Sequence, residues 1–282
     1  MLLTPTAADP LAQVRTTLRA MAALAGNPPL NGLAHGLTVD NPARWRQAAD
    51  LITGDSLPDL LDTARRRWGA APHAAAALAW KCYSYWLALP VVLGYAAARR
   101  VPLVRPEGVV LRWSQRAPFV VVGLTRVDVA VLDTDPLALM PPPGVRVVPD
   151  EAALLAEARA ALMDDHLAPL LERIRDHVRL GRRTLWGSLA SGIAHGLSRA
   201  ADVVPGPIAA TANEVLTAFG LDDLVDMAPL TTGPGLAVQR RTCCLAFTLP
   251  EPKICTGCCI LPAEDMADPP IVAGPTGTAA GR

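Results

Sequence analysis

From Cys82 to Ala98 the chain carries no charged residue, with Lys81 before the run and Arg99-Arg100 after it. A stretch this apolar must leave water, into a protein core or into a bilayer. Its seventeen residues just reach the lower limit of a membrane span, yet they include Tyr83, Ser84, Tyr85 and a central Pro90, and they continue backwards into an Ala-rich helical pattern. The reading is a buried core helix. No transmembrane segment is expected, and peripheral membrane contact stays open. With 51% hydrophobic residues among 282, the chain has ample material for such a core.

Around that helix the hydrophobic period changes twice. Apolar residues recur at helical spacing from Asp9 to Gly26 and from Ala43 to Trp68, and Ser56-Leu57-Pro58-Asp59 reads as a helix start. Gly108 to Trp113, Phe119 to Leu124 and Val127 to Leu132 are short β-branched runs with turns between them. Strands this closely spaced in sequence pair antiparallel, because a parallel pair needs a crossover of about a dozen residues. Val145 to Val148 adds an edge strand after Pro141-Pro142-Pro143-Gly144. Asp150 then caps a helical segment running to about Val178, a second covers Arg182 to Ala201, and a third opens on the capping box Thr211-Ala212-Asn213-Glu214 and stops at Gly220.

The expected class is therefore mainly helical α+β. Residues 1–101 form a helical region, 102–149 a small antiparallel sheet, 150–238 a second helical region, 239–261 a cysteine-rich segment and 262–282 a disordered tail. The sheet and its flanking helices are expected to form a ligand cleft. Lys plus Arg and Asp plus Glu number 26 each, so no basic field points to nucleic acid. The first ten residues lack a cationic and an apolar region, which predicts a cytoplasmic protein, where thiols stay reduced.

Five of the six cysteines fall within seventeen residues, Cys243 to Cys259. Crowding of this kind points to a metal or a disulfide framework, and a reducing compartment favours the metal. The spacing is C-C-x10-C-x2-C for Cys243, Cys244, Cys255 and Cys258, with Cys259 left over. Four thiolates are what a [2Fe-2S] cluster needs. A C-x2-C pair such as Cys255 and Cys258 can wrap one tetrahedral ion, and Gly257 permits the positive φ of such a turn. The adjacent pair Cys243-Cys244 departs from structural zinc sites, whose ligand pairs are normally separated, and so disfavours zinc.

The same spacing resembles the signature of the FhuF-like ferric siderophore reductases, in order and without a gap. Arg183-Thr184-Leu185-Trp186-Gly187-Ser188-Leu189-Ala190-Ser191, with His166-Leu167-Ala168-Pro169 upstream, resembles the helical region before the cluster in that family. By this resemblance Cys243, Cys244, Cys255 and Cys258 would bind a [2Fe-2S] cluster that passes one electron to siderophore-held Fe³⁺. The siderophore would be of hydroxamate type at the family level, and a ferredoxin or flavoprotein would donate electrons. Beyond the cluster, no catalytic residue is implied.

Arg240, Arg241 and Lys253 flank the ligands, and cations there would favour the reduced state or steer an acidic donor. Cys259 and Cys82 read as bystander and core residue, His166 and His195 as structural helical histidines, Trp186 as core, and Arg182-Arg183 as a solvated helix start. Two further readings stay open on the residues alone. One is a zinc-binding, non-catalytic interaction module. The other is an iron-sulfur redox sensor, although no basic helix-turn-helix pattern supports DNA binding.

Overall fold

The computed structural model describes residues 9–24, 30–231, 233–255 and 257–260. Its elements run α1 (Ala12–Ala23), β1 (Leu33–Thr38), β2 (Arg46–Gln47), α2 (Ala49–Ile52), α3 (Ser56–Trp68), α4 (Pro72–Ala98), β3 (Arg100–Pro102), β4 (Val109–Trp113), β5 (Val120–Leu124), β6 (Val129–Leu132), β7 (Val145–Val148), α5 (Glu151–Arg159), α6 (Ala168–His177), α7 (Arg182–Arg199), α8 (Ile208–Phe219), β8 (Val225–Pro229) and β9 (Leu236–Arg240). The class is mainly helical α+β, as the periodicity predicts.

The uncharged run is the body of α4. Pro72 sits in its first turn, where its missing N–H costs nothing, and Arg99 closes it in the left-handed conformation. Pro90 lies within the helix without ending it. α4 is long and apolar enough to cross a membrane, but 89% of its most apolar window is buried inside the protein. It packs against α7 most extensively, and against α3 and α1. The Trp80 indole, fully buried, donates to the Leu185 carbonyl of α7 at 2.7 Å, which fixes the register of the two helices.

The β-structure is more dispersed than the sequence suggests. β1 and β2, both inside the region read as helical, join β5 and β4 in a four-stranded sheet of order β1-β5-β4-β2. The β4–β5 hairpin is antiparallel as expected, whereas β1 pairs parallel with β5. β6 does not extend that hairpin. It lies between β3 and β7 in a second sheet, antiparallel to the first and parallel to the second. The segment from Asp133 to Gly144 supplies the dozen residues that a parallel return requires. A third, two-stranded sheet pairs β8 with β9 in the region read as helical.

Several helix boundaries follow the sequence signals, although the stretch read as helical from Ala43 is broken by β2 and α3 begins only at Ser56. Asp150 caps α5, its carboxylate accepting from the Ala153 N–H at 2.7 Å, and α8 stops at left-handed Gly220. The capping box at Thr211 is not used. Pro207 starts α8 earlier, Thr211 is buried in its interior, and Glu214 accepts instead from the Tyr95 hydroxyl at 3.1 Å. Between α5 and α6 the helix widens to π geometry over Ala160–Leu167. The tail from residue 262 onward lies outside the described residues.

Candidate metal centre

β9 delivers the cysteines. Its residues alternate inward at Leu236, Val238 and Arg240, and the chain then turns through Thr242 into Cys243 and Cys244. Thr242 packs so closely on α7 that a β-carbon on Gly187 would lie 1.9 Å from its hydroxyl oxygen. Leu245 takes the left-handed conformation, and a short 3-10 turn over Ala246–Thr248 follows. The chain returns with Lys253 donating its N–H to the Ala246 carbonyl at 3.0 Å, so that Cys255 comes back beside Cys244.

The second half of the segment is clamped to β9. The Arg240 N–H donates to the Gly257 carbonyl at 2.8 Å. Gly257 has φ +68, and a β-carbon there would stand 1.8 Å from the Val238 carbonyl oxygen. Only glycine lets the C-x2-C turn lie this flat on the strand.

The Sγ atoms of Cys244 and Cys255 are 3.7 Å apart. At a metal–thiolate distance of about 2.3 Å, two thiolates on one tetrahedral ion stand about 3.8 Å apart, so this pair fits a single ion. Hydrogen bonding between the two sulfurs holds the Cys244 pKa down to about 4, helped by Lys81, Arg240 and the Ala246 N–H, while the same bond pushes Cys255 up. The Leu245 N–H donates to Cys243 Sγ at 3.3 Å. Cys258 is buried. Cys259, read as a bystander, is hydrogen-bonded with Cys243, and its thiol is pushed up by burial first and then by Cys243 and Cys258. Among the described residues, no three His, Cys, Asp or Glu side chains close on a common point.

Two cations face this pair. Lys81, on α4, brings Nζ to 4.0 Å from Cys244 Sγ. Arg240 is 2% exposed; Nε donates to the Thr242 carbonyl at 3.1 Å, Nη2 to Ser188 Oγ at 2.9 Å, and Nη1 is buried without a partner. Among the described residues, neither cation has a carboxylate partner. Arg241 differs: it points outward and is spent in a two-oxygen salt bridge to Asp226. Of the cations the sequence singles out, Arg241 is thus turned away from the cysteines and Arg240 is buried beside them, and Lys81, 163 residues away in sequence, joins Arg240 there.

The remaining candidates are structural. His166 is fully buried in the π segment, hydrogen-bonded to the Val104 carbonyl and the Tyr83 hydroxyl, each at 2.6 Å, and burial lowers its pKa to about 4. Trp186 packs edge-on to Trp80 with ring centroids 5.7 Å apart. His195 is half-buried on α7. Arg182 and Arg183 are ion-paired with Glu172 and Asp223. Cys82 is a buried thiol whose pKa burial raises to about 11. An open groove of about 630 Å³ lies between α5 and α8, lined by Leu155, Arg159, Glu214 and Thr217, with no strand contributing, unlike the sheet-built cleft expected. Around the cysteines, Phe247, Ile254 and Ile260 are exposed.

A family model described as ferric iron reductase FhuF-like transporter matches residues 80–224, just over half of the chain. The match spans α4 to α8 and includes Lys81, Trp186 and Ser188, and it ends before the cysteines. No curated protein matches the chain.

Proposed function

The chain belongs to the FhuF-like ferric iron reductase family, and on that premise we propose that it reduces siderophore-bound Fe³⁺ to Fe²⁺ by means of a [2Fe-2S] cluster. Cys243, Cys244, Cys255 and Cys258 would hold the cluster. When bound, it supplies a single electron at a time. The observation that carries this reading is the Cys244–Cys255 pair, at single-ion spacing, facing two cations that have no carboxylate partner among the described residues. A buried cation without a counter-charge is costly, and an anionic thiolate centre provides one.

The chain's own residues do the positioning. Gly257 and the Arg240 N–H hold the C-x2-C turn on β9, and Gly187 lets Thr242 seat the first cysteine pair on α7. The Leu245 and Ala246 N–H groups donate to cysteine sulfur, which stabilises the thiolate form. Cys243 and Cys255 are only half-buried, and the exposed Phe247, Ile254 and Ile260 border them. This leaves an edge at which a ferric chelate and an electron donor can approach without entering the core.

The substrate's chemistry completes the reading. Siderophores clasp hard Fe³⁺ with oxygen donors, and Fe²⁺, carrying less charge, is held less tightly by the same atoms. Adding one electron to the chelated iron therefore releases it, with no bond to carbon broken and no nucleophile or proton relay required. A hydroxamate chelate is the expected substrate, a ferredoxin or flavoprotein the expected donor, and the cytoplasm the expected compartment, since it keeps thiols reduced.

Metal analysis tests the cofactor. Protein purified without oxygen should be reddish-brown, with close to two irons and two acid-labile sulfides per chain, as a [2Fe-2S] centre requires. A colourless preparation with stoichiometric zinc would instead support the interaction-module reading and end this one.

A further inference from the structure

We propose that Cys244 and Cys255 share one of the two metal ions, and that Lys81 and Arg240 make that ion the one which accepts the electron. This rests on the cluster assignment above and adds to it which sulfurs pair and where the charge goes.

The pairing follows from distance. The sulfurs of Cys244 and Cys255 already stand 3.7 Å apart, the separation of two thiolates on one tetrahedral ion. Lys253 is tied to Ala246 and Gly257 to Arg240, so the two chain segments meet across Cys244 and Cys255. Of the four candidate ligands, Cys243 and Cys258 are then left to the second ion, with Cys259 hydrogen-bonded beside Cys243.

The asymmetry follows from charge. A [2Fe-2S] centre with four thiolates is a dianion, and one added electron makes it a trianion as a single Fe³⁺ becomes Fe²⁺. No bond forms or breaks and no proton is needed. Lys81 reaches Cys244 directly, and the buried Arg240 guanidinium lies where the two halves of the cysteine segment meet, held by Ser188 and the Thr242 carbonyl while its backbone N–H holds Gly257. The one buried Arg240 nitrogen without a partner, Nη1, has spare capacity for an anion. Both cations thus stabilise extra negative charge on the ion that Cys244 and Cys255 share, and favour reduction there. The two cations come from opposite directions in sequence, one from the core helix α4 and one from the strand that carries the cysteines.

Redox titration of the anaerobically purified protein, followed by electron paramagnetic resonance, tests the proposal without an activity assay. Lys81→Met should keep full iron and sulfide and shift the one-electron equilibrium roughly tenfold toward the oxidised form, a fall of about 59 mV in midpoint. Arg240→Gln should act in the same direction, and Arg240→Lys should restore most of the loss by keeping the charge. Cys255→Ser should lower the midpoint and alter the reduced-state spectrum more than Cys258→Ser does. An unchanged midpoint in a fully loaded Lys81→Met protein would overturn the charge assignment. A larger effect of Cys258→Ser than of Cys255→Ser would overturn the pairing. Wild-type protein without iron and sulfide defeats the cluster reading itself, which keeps the two failures apart.

Discussion

At the scale of the residue, neighbouring arginines have different fates because they sit at the end of a strand. Leu236, Val238 and Arg240 point inward by the two-residue alternation of β9, so Arg240 is buried beside the cysteines, while Arg241 faces water and pairs with Asp226. Replacing Arg241 with Gln should therefore leave the cluster midpoint where it is, a result that redox titration beside Lys81→Met makes visible. A midpoint that falls as far in Arg241→Gln as in Lys81→Met would contradict this division of roles. The inward alternation is present in the sequence and could have singled out Arg240. Nothing local could have found Lys81, which reaches Cys244 only through the packing of α4 against the cysteine segment.

His166 supplies a second prediction at this scale. Its folded pKa, about 4, lies below its usual value because burial disfavours the charged ring. The unfolded chain therefore binds a proton first as pH falls. The stability linked to His166 is fully present above about pH 6.5 and is lost as pH drops toward 4, on the order of 3 kcal/mol across that window. Urea denaturation at pH 7 and pH 5 should show about 2 kcal/mol of this loss in the wild type and a smaller one in His166→Gln. Equal losses in both proteins would assign the pH dependence to other groups.

At the scale of the element, the cysteine segment owes its shape to the strand beneath it. Gly257 combines a left-handed φ with the closest approach to β9, so Gly257→Ala should lift the C-x2-C turn off Val238. The conformational strain alone costs about 1–2 kcal/mol, and the contact at 1.8 Å adds to it. The expected outcome is a lowered melting temperature together with reduced iron content, checked by thermal denaturation and metal analysis. A variant that melts and loads like the wild type would remove the turn from its assigned place. Helix ends were legible in advance where one residue decides them, as at Asp150 and Gly220. The capping box at Thr211 failed because Pro207 had already begun the helix. β1 was missed because Gly36 and Leu37 both take positive φ, which breaks the alternation by which strands are recognised.

At the scale of the whole molecule, the apolar run that first required burial and the cysteines near the other end belong to one construction. α4 and α7 form the central helix pair; α4 sends Lys81 to the cysteines, and α7 gives Gly187 and Ser188 to the segment that carries them. The family match lies on this scaffold, from residue 80 to 224, while the cysteines lie beyond it. The helical class was readable from periodicity, and Cys243, Cys244, Cys255 and Cys258 stand out by their spacing and by its family resemblance. The division of the β-structure into separate sheets was not, because it depends on which distant strands pair, and pairing partners leave no local periodic mark.

One-electron reduction of chelated ferric iron, as proposed, is tested by a stopped-flow experiment under nitrogen. Dithionite-reduced protein, freed of excess reductant, is mixed with a ferric hydroxamate siderophore in the presence of a ferrous-specific chelator. Reoxidation of the protein chromophore should be matched, one for one, by formation of the ferrous complex, and protein with Cys244→Ala and Cys255→Ala should yield none. A reduced protein that stays reduced in the presence of ferric hydroxamate and of other ferric siderophores would contradict the account.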